Sequence, residues 1–241
     1  MRVIRAKDYE GVSRIAAEKI ADVIEKKPDA VLGLATGSSP LGTYRRLVEL
    51  YREGKADFGR VRTVNLDEYV GLSVRDEQSY AHFMEENLFG RVNLNPKNTY
   101  IPSGTAEDGE KECRAYDALL QELGGIDLQL LGLGPNGHIA FNEPGECFPK
   151  GTHKVRLSSE TIRANKRFFA REEDVPQFAY TMGIRDIMLA KQVIMLVSGE
   201  AKAEIVKEAF TGPVTPKVPA SILQFHRDFT LIADEEALSL L

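Results

Sequence analysis

Short apolar runs alternate with amphipathic stretches along the whole chain, and this alternation constrains the fold more than any other feature of the sequence. The runs 31–35, 126–133 and 192–197 are almost continuously apolar, as strands covered on both faces are. Between Val12 and Ile24, apolar residues instead recur every three to four positions, which predicts an amphipathic helix. Strands that alternate with helices form βαβ units. The sequence therefore predicts an α/β fold: one open, mostly parallel sheet with helices on both faces.

Composition narrows the class of protein. A length of 241 residues with 43% hydrophobic content suits one domain, so we expect a single domain over 1–241. No stretch approaches the roughly 20 apolar residues of a membrane span, and residues 1–9 lack the apolar core of a signal peptide. We therefore expect a soluble, cytoplasmic protein without a membrane partner. Cys113 and Cys147 lack the spacing of a metal site or a clear disulfide. A net charge of −5 without a Lys/Arg run disfavours nucleic-acid binding.

Polar or glycine-bearing clusters follow four of the predicted strands, at 36–40, 67–69, 134–138 and 198–200. In an open parallel sheet the carboxyl ends of the strands meet at one edge, and ligands bind there. Polar loops are common in any such fold. A set that contains a histidine, an aspartate and two phosphate-type turns is more typical of a ligand site. We therefore expect one site at this edge.

The first cluster, Thr36-Gly37-Ser38-Ser39, joins a strand to a helix that is predicted to begin near Pro40, with Ser39 as its candidate N-cap. Backbone N–H groups at a helix start, together with hydroxyl groups, form a site for an anion. The cluster lacks the lysine of a P-loop and the glycine spacing of a dinucleotide turn, which disfavours a nucleotide. Taken alone, it could equally be a capped turn.

The run 131–145, which reads L-G-L-G-P-N-G-H-I-A-F-N-E-P-G, is the most specific feature. Its glycines allow a sharp turn and a close approach to a ligand, and they place His138 at the rim of a loop. Glu143 follows five residues later, and a histidine with a carboxylate nearby is a tunable acid–base unit. A lone histidine is usually structural, but this setting favours a functional one. Asp67, which ends a strand predicted over 61–67, could be a general base, a hydroxyl acceptor or a helix cap.

Two basic side chains could complete an anion pocket. Lys202 falls in the first turn after Ser198-Gly199, where a cation opposes the helix dipole and favours a compensating anion. Arg167 ends a helical stretch, but spacing alone makes Arg163 and Lys166 equally available. The sequence pattern does not choose among these three residues.

The chain resembles the glucosamine-6-phosphate deaminase family, also called isomerases, over essentially its whole length. The resemblance is carried by L-G-L-A-T-G-S-S-P, N-L-D-E-Y-V-G-L, G-L-G-P-N-G-H-I-A-F-N-E-P-G, A-N-K-R-F-F and S-G-x-x-K-A. The third segment is highly specific, because the related 6-phosphogluconolactonases typically read D-G-H-x-A-S-L-F-P there. The resemblance implies a Rossmann-like fold and the conversion of glucosamine 6-phosphate and water to fructose 6-phosphate and ammonia, without a metal or organic cofactor.

The resemblance also implies a role for each site residue. Asp67 matches the base that moves a proton between C2 and C1 through an enolamine. His138 matches the residue that opens the pyranose ring, and Glu143 the carboxylate that holds and tunes it. Asn136 stands where many members carry aspartate; an amide can orient its neighbours but does not accept a proton in the same way. The phosphate pocket corresponds to Thr36, Gly37, Ser38, Ser39, Arg167 and Lys202.

Three further expectations concern Ser38, residues 146–171 and regulation. Ser38 replaces a glycine common in this turn, which would strain the backbone if φ is positive there. Residues 146–171 lie between two parts of the site and are a candidate lid. Allosteric members are hexamers that N-acetylglucosamine 6-phosphate activates; they carry basic residues where this chain has His153 and Val155, and a tail beyond the position of Leu241. We therefore expect weak or absent activation and a monomer or small homo-oligomer.

Two other functions compete with this interpretation. A non-catalytic sugar-phosphate sensor would share the architecture, but such regulators carry DNA-binding helices upstream, and the first helix here is predicted to begin near Asp8. A sugar-phosphate lactonase would share the fold, but the segment 134–145 disfavours it.

Overall fold

The computed structural model describes residues 1–241 and contains ten strands. In chain order they are β1 (Arg2–Ala6), β2 (Val31–Leu34), β3 (Arg62–Asn65), β4 (Asp67–Tyr69), β5 (Thr99–Tyr100), β6 (Leu128–Gly132), β7 (His153–Arg156), β8 (Phe178–Thr181), β9 (Gln192–Val197) and β10 (Phe229–Asp234). Seven of them form a sheet in the order β1-β10-β9-β6-β2-β3-β5, and every pair in it is parallel. The remaining three form a small antiparallel sheet in the order β4-β8-β7.

Seven α-helices cover both faces of the central sheet. They are α1 (Tyr9–Lys26), α2 (Leu41–Arg52), α3 (Tyr80–Asn87), α4 (Gly109–Glu122), α5 (Ser159–Asn165), α6 (Ile184–Leu189) and α7 (Ala203–Thr211). One hydrophobic core packs α1, α2 and α3 against the sheet, and a second packs α4, α6 and α7 against the opposite face. Within β2, Val31 belongs to one core and Leu32 to the other, as the side-chain alternation of a strand requires. The predicted fold class is confirmed.

The predicted end of the strand over 61–67 is wrong, because β3 ends at Asn65. The ladder to β2 ends at Asn65, although the backbone N–H of Leu66 still donates to the carbonyl of Leu34 at 3.2 Å. Met182 then donates to the carbonyl of Leu66, and Asp67 begins β4 in the small sheet, opposite Thr181. The chain changes sheets at this point, so Asp67 lies at the start of a strand rather than at the end of one.

Strand β1 was not predicted from the sequence. It is an edge strand that pairs only with β10, and four of its five side chains are at least partly exposed. An edge strand with exposed charged residues lacks the apolar run that marks buried strands. The helix after it begins as predicted, because the side chain of Asp8 accepts a hydrogen bond from the N–H of Gly11 at 2.9 Å.

Part of the candidate lid is fixed by backbone pairing. Strand β7 lies within residues 146–171 and pairs with β8 from His153 to Arg156. The rest of the segment contains α5 and a 3-10 turn at Lys166–Phe168, so any lid motion would be centred there. That this region moves stays a prediction. None of the helices is both long and apolar enough to cross a membrane.

Candidate active site

A cavity of about 970 Å³ opens at the carboxyl edge of the central sheet. It lies beyond the neighbouring strands β9, β6, β2 and β3. From β2 the chain continues to β3 on one side, whereas from β6 it continues to β9 on the other side, so the strand order reverses between β2 and β6. Such a switch point is where open α/β sheets bind ligands. Residues from the predicted clusters line it, among them Thr36, Asp67, His138 and Ser198. The sequence clusters therefore do meet in one place.

The loop Thr36–Ser39 forms one end of the cavity. Its turn depends on Gly37, whose φ of +87° favours glycine, whereas Ser38 has no positive φ, so the expected strain at Ser38 is absent. None of the four backbone N–H groups of this loop donates a hydrogen bond within the chain. Free amides beside hydroxyl groups suit an anion such as a phosphate group.

Arg167 and Lys202 lie at the same end. The Arg167 guanidinium donates to the Ser38 hydroxyl at 2.9 Å, and the Lys202 ammonium donates to the carbonyl of Leu133 at 2.7 Å. Burial lowers the pKa of Lys202, and the nearby charge of Arg167 lowers it further. An anion bound between these cations would offset that repulsion.

The structure distinguishes Arg167 from Arg163 and Lys166, which spacing alone left equally available. Arg163 donates back to the carbonyl of Ser159 on its own helix, and Lys166 forms a surface ion pair with Glu172 at 3.7 Å. Only Arg167 of the three lines the cavity. Spacing alone did not distinguish these three residues, and the structure places Arg167, the residue that the resemblance implies, at the cavity.

Asp67 lines the cavity and is only 6% exposed. Its pKa lies well above the usual value of a carboxyl group, first because burial disfavours the charge and second because the charge of Glu68 is close. A carboxylate with a raised pKa is a stronger base than one in water, which suits proton abstraction from carbon.

Glu68 was not singled out from the sequence, yet its hydrogen bonds hold together the part of the cavity that Asp67 and Tyr80 line. Its carboxylate accepts hydrogen bonds from the N–H groups of Tyr69, Tyr80 and Ala81, at 2.8, 2.9 and 2.9 Å. It therefore ties the start of α3 to β4 and places the side chain of Tyr80 along the cavity. No sequence signal marked the contacts with α3, because Tyr80 and Ala81 lie twelve and thirteen residues away from Glu68.

The loop that carries His138 depends on two glycines. Gly137 has a φ of +82°, and a Cβ at Gly134 would stand 2.4 Å from the His138 ring. Asn136 connects the loop: its side-chain carbonyl accepts from the N–H of His138 at 3.2 Å, and its amide donates to Glu143 at 2.8 Å. Asn136 thus holds the backbone of His138 and the carboxylate of Glu143 in a fixed relation.

Glu143 lies behind His138, with 3.7 Å between Oε2 of Glu143 and Nδ1 of the imidazole. Its other oxygen, Oε1, accepts from the N–H of Ser158 at 3.1 Å and the hydroxyl of Thr161 at 2.6 Å. Burial would raise the pKa of Glu143, but His138, Thr161 and Asn136 outweigh it and lower the pKa to about 2. Glu143 is therefore a carboxylate at any working pH, and it links the histidine to helix α5.

Glu143→Gln is expected to lower the free energy of unfolding at pH 7 by up to roughly 3 kcal/mol, given about 1.4 kcal/mol per pKa unit. Because the folded pKa is depressed, this stabilisation is present above the unfolded pKa of about 4.3 and is lost as the pH falls toward about 2. Urea unfolding at pH 7 and pH 3 checks this, with the exposed Glu25→Gln as control. An equal loss at both pH values would show that charge is not the cause.

Strand β8 contacts both the strand that carries Asp67 and the loop that carries His138. Thr181 pairs in register with Asp67, and its hydroxyl accepts from the N–H of Phe141 at 3.0 Å. Phe141 lies between His138 and Glu143 in the chain, so one residue braces both the aspartate strand and the histidine loop. No group of three or more His, Cys, Asp or Glu side chains is arranged to hold a metal ion.

A family model that describes glucosamine-6-phosphate isomerases and 6-phosphogluconolactonases matches residues 8–232. The chain belongs to this family. Among its relatives, a glucosamine-6-phosphate deaminase of Clostridium perfringens is 53% identical over 241 residues, the full length of both proteins. The glucosamine-6-phosphate deaminase of Lachnoclostridium phytofermentans is 55% identical over 232 residues, which cover 96% of this chain and 98% of that protein.

Solved structures separate the two branches of the glucosamine-6-phosphate isomerase and 6-phosphogluconolactonase family. A monomeric glucosamine-6-phosphate deaminase matches with a TM-score of 0.98 and 47% identity, covering 100% of both chains. A 6-phosphogluconolactonase from Thermotoga maritima matches with a TM-score of 0.75 and 21% identity, over 97% of this chain and 99% of that chain. The second likeness shows a shared fold. The family predicted from the sequence is confirmed.

Proposed function

We propose that this protein is a glucosamine-6-phosphate deaminase, which converts glucosamine 6-phosphate and water to fructose 6-phosphate and ammonia. One observation carries the proposal: a buried carboxyl group with a raised pKa, Asp67, and the imidazole of His138 line the same cavity, which ends in a loop with four free amides. The two deaminases at 53% and 55% identity support it.

Substrate binding would begin at the phosphate. The free N–H groups of Thr36–Ser39 would donate to its oxygens, and Arg167 and Lys202 would balance its charge. With the phosphate held there, the sugar extends toward Asp67 and His138. Fixing one end of the substrate in this way places its reacting carbons without further loss of freedom.

Ring opening would be the work of His138. The imidazole takes the proton of the anomeric hydroxyl and returns a proton to the ring oxygen, so the C1–O5 bond breaks and an aldehyde forms at C1. Glu143 stabilises the imidazolium that exists between the two transfers. Asn136 keeps the carboxylate and the histidine backbone in place.

Isomerisation and deamination would follow at Asp67. Its carboxylate removes the proton from C2 and becomes protonated, while the aldehyde oxygen takes a proton from solvent, which gives an enolamine. The proton is then delivered to C1, and the imine at C2 adds water and releases ammonia, leaving the ketone of fructose 6-phosphate. Each step moves a proton or water, so we propose a reaction without a metal or redox cofactor.

The test of the function is product analysis with purified protein. Glucosamine 6-phosphate is expected to yield ammonia and fructose 6-phosphate in a one-to-one ratio. Hydrolysis of a 6-phosphogluconolactone without ammonia release would favour the lactonase, and binding without turnover would favour the sensor.

We further propose that the protein acts as a monomer and that N-acetylglucosamine 6-phosphate does not activate it. Support comes from the monomeric deaminase at 47% identity and from His153 and Val155, which give β7 no pair of basic residues at those positions. The initial rate at subsaturating glucosamine 6-phosphate is expected to stay within about twofold when the N-acetylated sugar is added. A clear rate increase, or a hexamer by light scattering, would refute this.

A further inference from the structure

Helix α2 begins without a side-chain cap of its own. The sequence predicted Ser39 as the cap, but Pro40 occupies the cap position and no side chain near it accepts from the first turn. The N–H of Gly42 donates instead to the hydroxyl of Tyr9 at 2.8 Å. A residue 33 positions away therefore supplies the cap, and the Ser39 hydroxyl stays available to the cavity it lines.

The same tyrosine hydroxyl also holds the anion loop. It donates to the carbonyl of Ser38 at 3.0 Å, so Tyr9 bridges the loop and the helix that follows it. A second tyrosine acts at the other end of the loop, where the hydroxyl of Tyr44 donates to the carbonyl of Ala35 at 2.5 Å. Tyr44 is fully buried.

These two contacts determine where the loop amides point. In a trans peptide the carbonyl and the following N–H point in opposite directions, and the chain contains no cis peptide bond. Fixing the Ala35 and Ser38 carbonyls on tyrosines therefore directs the N–H groups of Thr36 and Ser39 away from those tyrosines. Neither N–H finds a partner in the chain. The carbonyl oxygens, which would repel an anion, are already occupied.

We propose that Tyr9 and Tyr44 are positioning residues that preorganise the loop Thr36–Ser39 for a phosphate monoester; as a statement about substrate, this rests on the proposed function. Preorganised donors bind an anion without the cost of ordering the loop at the moment of binding. Tyr9 is the more informative of the two, because its hydroxyl connects the loop to α1 and its ring lines the cavity.

Tyr9→Phe is the test, since it removes only the hydroxyl. The KM for glucosamine 6-phosphate is expected to rise about tenfold, the loss of roughly one good hydrogen bond, with kcat within about twofold. The dissociation constant of inorganic phosphate, measured by calorimetry, is expected to rise by a similar factor. Tyr44→Phe should move both constants in the same direction. Tyr51→Phe is the matched control, because the hydroxyl of Tyr51, on the last turn of α2, makes no hydrogen bond in the chain.

A purely structural role gives a different pattern. Loss of a helix cap costs about 1 kcal/mol of stability, so Tyr9→Phe would then lower the melting temperature while KM and phosphate affinity stay at the wild-type values. That pattern would overturn the proposal. A wild-type protein that binds phosphate but releases no ammonia would overturn the proposed function alone, because phosphate affinity in the two variants still reports on the loop.

Discussion

Asp67→Asn is expected to reduce kcat for ammonia release by about 10²–10⁴-fold, the usual contribution of a positioned base. The amide has nearly the same shape but accepts no proton, so the open-chain sugar would keep the proton on C2. Binding of glucosamine 6-phosphate should change little, because the phosphate is held at the other end of the cavity. Steady-state kinetics together with calorimetry separates the two effects.

The same substitution should not destabilise the fold. Because the pKa of Asp67 is raised in the folded state, the stability that this group contributes is present below its unfolded pKa of about 3.9 and is lost as the pH rises toward the folded value. Asp67→Asn should therefore be about as stable as wild type near pH 4 and more stable at pH 7. Asp22→Asn, on the outer side of α1, is the control and should change neither activity nor stability.

Loss of activity with a gain in stability is the signature of a residue kept for chemistry. If Asp67→Asn instead lost activity and stability together at pH 7, the carboxylate would be a structural anchor. Undiminished ammonia release would remove Asp67 from the mechanism altogether.

His138→Gln is expected to lower kcat/KM by about 10²-fold or more, the lower part of the range for a general acid–base residue. Glutamine fills much of the same space above Gly134 and can hydrogen-bond, but it does not exchange a proton with the sugar near neutral pH. It also leaves Glu143 without a cationic partner during ring opening. The assay is the initial rate of ammonia release at pH 7 over a range of glucosamine 6-phosphate concentrations.

His82→Gln is the control for this second variant, because His82 lies on α3 and does not line the cavity. It is expected to keep wild-type kinetics. A His138→Gln variant that keeps the wild-type kcat/KM for ammonia release would contradict the assigned role.

The fold could be predicted because it depends on local pattern. Buried strands such as β6 and β9 read as apolar runs and the helices as apolar stripes, and the parallel sheet then brings the loops together. Strand β1 was missed because an exposed edge strand carries no such pattern, and the strands of the small sheet were missed because they are only three or four residues long. The break between Asn65 and Asp67 was missed because a change of partner strand leaves no mark on residue order.

Several residues that line the cavity carry a sequence signal, whereas the residues that hold them in place do not. His138 and Gly137 share one motif, and the glycine has the positive φ that its residue type suggests. Ala140, in the same loop, also has a positive φ of +51°, which nothing about an alanine indicates. Tyr9 and Glu68 act through contacts that only the folded chain creates, so local sequence reasoning does not find them.

The most direct test of the account is a crystal structure of Asp67→Asn with glucosamine 6-phosphate, which this variant should bind but not convert. We predict the phosphate on the amides of Thr36–Ser39 with Arg167 and Lys202 around it, C2 within about 3.5 Å of the residue 67 side chain, and the imidazole of His138 at the anomeric end of the ring. A phosphate bound elsewhere, or a sugar whose C1 and C2 lie out of reach of residue 67 and His138, would contradict it.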